Sequence, residues 1–169
     1  PEVVAVDVVP VARGTGADGY VDGATVFSDD DNSGALNGLE ASTTTDSDGD
    51  FVLVGATGPL VMTGGIDIST GKAFEGSLRA PTGSTQISPL TTLILETIEA
   101  GGGNISDAAQ IAAANVDVLD AFGLNNSLDL TTYDQIIATR DNGTGVAQSE
   151  GEFVQSAAVQ VQNTAALIG

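Results

Sequence analysis

A chain of 169 residues, 41% of them hydrophobic, is long enough for one domain with its own core. Its 23 Asp+Glu against 4 Lys+Arg give a formal charge of −19, which leaves no basic face for nucleic acid phosphates and disfavours anionic membrane surfaces. With no Cys and no His, disulfides, Ser-His and Cys-His nucleophile pairs and the usual zinc and iron ligands are excluded, so metal chemistry is oxygen-only and suits calcium or magnesium.

The first apolar run, residues 3–11, is broken by Asp7 and Pro10 and is too short to span a bilayer. It lacks the basic start of a signal peptide, so the chain reads as a segment of something larger. The composition fits a secreted bacterial surface protein and, almost as well, a salt-adapted cytosolic one. Up to Ser88, β-branched runs alternate with Gly/Asp turns, at residues 3–11, 20–27, 51–54, 60–63, 74–80 and 86–88. That spacing predicts an antiparallel sandwich or small barrel. "GYVDGATVF" followed by "TDSDGDFVL" predicts a hairpin whose long loop carries the acids.

Counted from Asp29, the residues Asp29, Asp31, Ser33, Gly34, Ala35, Asn37 and Glu40 fall at positions one, three, five, six, seven, nine and twelve of a calcium loop with EF-hand spacing. Calcium takes about six to eight oxygens, so a short loop must wrap it with alternating side chains turned inward. Gly34 permits the sharp turn, Ala35 offers its carbonyl, Glu40 closes the shell, and Leu36 is expected to anchor the loop to the core. The flanks are strand-like, which places the loop in a β-hairpin and not between EF-hand helices. Asp46, Asp48 and Asp50, alternating around Gly49, are expected to form a second cation site or to share ligands with the first. A magnesium site is less apt, since nothing suggests a phosphate substrate.

In "MTGGIDISTGKAFEG", Gly64 and Gly65 let backbone approach a ligand, Asp67 is a further candidate calcium ligand, and Thr70 belongs to the same turn. A plain hairpin turn explains this stretch equally well. Lys72 and Arg79 can each receive a carboxylate. Paired carboxylates for glycoside hydrolysis need an aromatic cleft, and a chain with no Trp and 4% aromatics does not supply one, so a non-enzymatic role is expected.

After Ser88 the period becomes helical. Ser88 as N-cap, Pro89 at the first position, Leu90, Leu93, Ile94 and Ile98 on one side and Gly101 past the end predict a helix. Ser106 as cap, Ile111, Val118, Leu119 and Phe122 as the apolar side and Gly123 as stop predict another. A short helix follows Thr131, which pairs with Asp134 as a capping box, and Tyr133 can line a pocket. Ser149 with Glu152 reads as a capping box for a last helix with Val154, Ala158, Val161, Ala165 and Ile168. Sequons at Asn104, Asn125 and Asn142 carry little weight in a bacterial host. The expectation is an α+β fold in one module, 1–169: an antiparallel β-sandwich-like N-terminal part (1–88) bearing the calcium-binding hairpin loop, packed against three to four C-terminal helices (89–169).

The succession "GYVDGATVFSDDDNSGALNGLE", "TDSDGDFVL", "GGIDISTG", "LRAPTG", "ISPLTTLI" and "LDLTTYD", spanning Gly19 to Asp134, resembles the calcium-dependent peptide-binding domain of long repeat-containing (RTX-type) adhesins of Gram-negative bacteria. The resemblance implies a β-rich domain with more than one bound Ca2+, displayed at the bacterial cell surface, that grips extended peptides by their free C-terminus on other cells' surface proteins. A partly ligated calcium ion would supply the charge that holds the peptide carboxylate. Gly64, Gly65, Asp67, Thr70 and Tyr133 are the residues expected near the peptide, with strand addition as a further mode. The alternative is a calcium-stiffened spacer or cap that holds no ligand.

Overall fold

The structure, a computed structural model, describes residues 8–140 and 146–168. The fold is α+β, with ten strands in three sheets followed by four helices among the described residues. The strands are β1 (Val11–Gly16), β2 (Val21–Asp22), β3 (Thr25–Ser28), β4 (Ser42–Thr44), β5 (Asp50–Val54), β6 (Leu60–Thr63), β7 (Ile66–Asp67), β8 (Lys72–Ala73), β9 (Ser77–Ala80) and β10 (Gln86–Ile87). The helices are α1 (Pro89–Ala100), α2 (Ala108–Phe122), α3 (Gln135–Arg140) and α4 (Val146–Ile168).

One sheet has the order β4-β3-β6-β9, all antiparallel; a second is β10-β1-β5; a third, smaller one is β2-β7-β8. The sheets close over a core of Val21, Val26, Phe51, Leu53, Leu60, Met62, Phe74 and Ile87. β5 shows the pattern that makes this possible: Phe51 and Leu53 are buried while Asp50, Val52 and Val54 face out, the period-two signature of a half-covered strand. One pairing departs from the antiparallel expectation, because β1 runs parallel to β10 with Thr15 opposite Gln86. Gly14 allows this, since a Cβ there would collide with the Thr85 backbone.

The expected strand over residues 20–27 is two strands broken at Gly23, whose φ of 68° lies in the left-handed region that side chains resist. The acidic hairpin also closes differently. β3 pairs with β4, setting Phe27 opposite Ser42, while "DFVL" leaves for the other sheet and pairs with β1. The expected strand over residues 3–11 lies largely outside the described residues, and β1 begins only at Val11. Asn142 and the side chains of Ala165 and Ile168 also lie outside them.

α1 holds the two halves together. Ser88 caps it, accepting from Thr91 N–H at 3.3 Å while Thr91 Oγ1 accepts from Ser88 N–H at 2.8 Å. The same threonines clasp β9: Thr92 Oγ1 accepts from Arg79 N–H at 2.8 Å and Thr91 Oγ1 donates to Arg79 C=O at 2.8 Å. Leu90, Ile94 and Ile98 then join Val118, Leu119, Leu130 and Val154 in a second core among the helices. A second clasp lies further on, where the Thr131 carbonyl accepts from both Thr85 and Gln86 N–H.

Three helix starts differ from expectation. Asp107, not Ser106, caps α2, accepting from Ala109 and Gln110 N–H. Asp134 alone caps α3, accepting from Ile136 and Ile137 N–H, while Thr131 bonds Asp129 instead. α4 starts at Val146, so Ser149 and Glu152 sit inside the helix and not at its cap.

Candidate metal centre

The loop between β3 and β4 folds around its own carboxylates. Asp29 is wholly buried and accepts from Ser33 N–H at 2.9 Å and from Gly34 N–H at 3.0 Å. Gly34, with φ of 72°, makes the turn that brings those N–H groups back. Asp31 accepts from Ser33 N–H at 3.0 Å and from Asn37 Nδ2 at 3.1 Å; the Ser33 bonds hold its carboxyl below the ordinary range. Glu40 closes the loop, accepting from Asp30 N–H at 3.1 Å through one oxygen and from Asn37 N–H at 3.0 Å through the other.

One oxygen each from Asp29, Asp31 and Glu40 lie within 4.8 Å of one another. Three like charges brought this close, one on a side chain with no exposure, repel unless a cation lies among them. The described residues supply no ion pair to this group; their ion pair is Arg79 with Glu99. The cluster can therefore hold a metal ion, and an all-carboxylate donor set suits a hard divalent cation.

The remaining loop oxygens are engaged internally. Ser33 Oγ donates to the Ala35 carbonyl at 3.1 Å, and Asn37 Oδ1 accepts from Leu39 N–H at 2.9 Å. Leu36 does not anchor the loop, being 45% exposed. That task falls to Asp30, whose Oδ1 accepts from Ser28 Oγ at 2.7 Å and Thr57 Oγ1 at 2.8 Å. Asn32, at loop position four, ties the loop to the helices: its Oδ1 accepts from Arg79 Nη2 at 2.7 Å, and the same guanidinium clamps Glu99 on α1 at 2.9 and 2.8 Å.

The other expected ligands lie apart from this group. Asp46 accepts from Asp48 and Asp50 N–H with one oxygen, and Asp50 accepts from Thr15 Oγ1; Asp46 and Asp48 belong to the exposed turn that leads into β5, and Asp50 is the first residue of that strand, so the three do not alternate along one strand. Asp67 is committed to the turn after β7. It accepts from Ser69 N–H and Oγ at 2.8 and 2.7 Å and from Thr70 Oγ1 at 2.7 Å. Partial burial alone would raise its pKa, but the bonds from Ser69 and Thr70 outweigh that and hold it low. Gly65 is pressed against the Asp22–Ala24 backbone, whereas Gly64 has open space beside it. Tyr133 packs on the helical core, where burial first, then Glu150 and Asp134, raise its pKa.

Asp18 has no flanking motif, and its partner is far away in sequence. Gln162 of α4 donates to its Oδ2, and Asp67 stands nearby. Burial, and then the charge of Asp67, push its carboxyl up from 3.8 to about 6. The folded state therefore binds a proton that the unfolded chain releases between those values, so stability from this group falls as pH rises through that window. Asp18→Asn keeps an acceptor for Gln162. After discounting for solvent screening it is expected to stabilise by about 1 kcal/mol at pH 7.5, about 2–4 °C in Tm, and by nothing at pH 3.5. Melting curves of both proteins at the two pH values check this.

An α+β protein with an acidic, cation-ready hairpin loop is the class that fold and site define. No family model, curated protein or solved structure matches the chain. No helix among the described residues is long and apolar enough to cross a membrane.

Proposed function

We propose that this chain is a calcium-dependent binding module of a long bacterial surface adhesin, holding extended peptides by their free C-terminus on surface proteins of other cells. The observation that carries this reading is the convergence of Asp29, Asp31 and Glu40 on a loop with calcium-binding spacing. These three are the carboxylate ligands, Ser33, Ala35 and Asn37 offer further oxygens, and Asp46, Asp48 and Asp50 are available to additional ions, whereas Asp67 is taken up by its own turn. Bound calcium supplies the positive charge that a chain of −19 otherwise lacks for meeting a carboxylate. The module acts outside the cell as one unit of a longer chain, without catalysis.

The test is calorimetry in calcium with synthetic peptides that carry either a free or an amidated C-terminus. At least tenfold tighter binding of the free acid, about 1.4 kcal/mol, is expected; equal affinity overturns the reading. A second reading, the calcium-stiffened spacer or cap, draws on the loop's closed internal hydrogen bonding and its tie through Asn32 to Arg79. There, chelation destabilises the protein while neither peptide binds.

A further inference from the structure

A cleft of about 790 Å³ runs between the segment from β8 to β9, the first turns of α1 and the C-terminal half of α4. Its size falls in the range of ligand sites, about 300–1,000 Å³. Phe74, Leu78, Pro89 and Val161 give it apolar walls. Around them stand four carboxylates, Asp18, Asp67, Glu75 and Glu96, against a single base, Lys72. Among the described residues none of these five takes part in an ion pair. Asp67 is satisfied within its own turn and Asp18 by Gln162, while Glu75 and Glu96 are exposed at the rim.

The arrangement differs from a metal site. Its acids do not converge as Asp29, Asp31 and Glu40 do, and apolar surface lies among them. Apolar walls with a carboxylate rim match a long aliphatic stem ending in a cation, the shape of an arginine or lysine side chain. From this cavity and its charge complementarity we infer that the cleft receives a basic side chain of a partner peptide, with the stem against Phe74 and Leu78 and the cationic head among the carboxylates. An acidic peptide is repelled there, and a short polyamine leaves the apolar walls uncovered. The cleft is separate from the calcium loop, so this inference does not depend on recognition of a C-terminal carboxylate.

The test uses a peptide alternating leucine and arginine, acetylated and amidated so that it carries no carboxylate, titrated into the whole protein by fluorescence anisotropy. Spermidine and a leucine–glutamate peptide serve as comparison ligands. Glu75→Gln/Glu96→Gln changes two exposed residues at the rim. Asp117→Asn/Glu152→Gln removes the same charge from exposed positions outside the cleft. The rim variant is expected to bind the basic peptide at least tenfold more weakly and the outside variant within twofold of the parent, with spermidine at least tenfold weaker than the peptide. Equal weakening by both variants, no binding by the parent, or spermidine binding as tightly as the peptide overturns the inference. Because every peptide here is amidated, these outcomes are independent of the free-acid comparison above.

Discussion

Chelating calcium is expected to lower the melting temperature by about 5–11 °C from its value at a hundredfold excess of calcium over Kd, the equivalent of about 2.7 kcal/mol of binding linkage. The physical source is the group of Asp29, Asp31 and Glu40, whose carboxylates meet within 4.8 Å while Asp29 is wholly buried. Binding to the folded state alone converts that repulsion into coordination. Glu40→Gln isolates the effect. The amide keeps one oxygen that can accept from Asp30 or Asn37 N–H and loses the negative charge, so the variant itself melts somewhat lower. The informative quantity is the difference between calcium and chelator, expected to shrink from about 5–11 °C to under about 2 °C. Differential scanning fluorimetry of both proteins measures it. An unchanged melting temperature on chelation sinks the calcium assignment. A shift that survives Glu40→Gln but disappears in Asp46→Asn places the ion in the exposed turn instead.

The second large effect belongs to Arg79. Its guanidinium makes a two-pronged bond to Glu99 and a third bond to Asn32, joining β9, α1 and the acidic loop. Bonding to Glu99 raises the Arg79 pKa, and the same contact holds Glu99 below its usual 4.5. A carboxylate depressed in the folded state stabilises fully above its unfolded value and loses that contribution as pH falls through the folded one, so this pair is intact at neutral pH and fails in acid. The pair is only partly buried, with side chains 19% and 33% exposed. Arg79→Met is therefore expected to cost about 1.5–3 kcal/mol, below the range for a fully buried pair. It should also narrow the calcium-dependent difference in Tm, because Asn32 then holds the loop against α1 only through its 3.4 Å bond from Nδ2 to Glu99. By linkage, whatever calcium contributes to docking the helix, the docked helix returns to calcium binding. Asn32→Gly separates the two contributions: it leaves the Arg79–Glu99 pair in place, and glycine adopts the φ of 55° found there without strain. If calcium stabilises Arg79→Met and Asn32→Gly as much as the parent, loop and helix are uncoupled.

The sequence was most readable where one local rule governs one residue. The spacing from Asp29 to Glu40 singled out Asp29, Asp31 and Glu40, the three carboxylates that the fold brings together, and Ser88–Pro89 marked α1 because capping is a matter between neighbours. β1 was missed because "VARGTG" carries no alternating apolar pattern; two of its glycines are spaces for Thr85 and Met62, partners that only the folded chain brings near. "LRAPTG" and "SPLTTL" suggested kinship without chemistry. In the fold they clasp each other, Thr91 and Thr92 on the backbone of Arg79, and the arginine reaches on to Glu99. The cleft escaped sequence reading for the same reason. Asp18 and Gln162 touch across nearly the whole chain, and neither belongs to a motif. Leu36 misled through the EF-hand analogy, where position eight packs between helices; a hairpin loop has no such helices, and Ser28 and Thr57 grip Asp30 instead.

The parallel pairing of β1 with β10 sets the order in which this protein can assemble. Thr15 meets Gln86 only after everything between them has emerged, and closing so long a loop carries an entropic cost that must be met before the pairing returns anything. α1 begins two residues after β10 ends, so the helix that clasps β9 becomes available just as the strand that completes the sheet does. A chain growing from its N-terminus thus holds an unfinished sheet, with β1 paired on one side only, until residue 87 is free. β1, the first strand among the described residues, is among the last to gain its full set of neighbours.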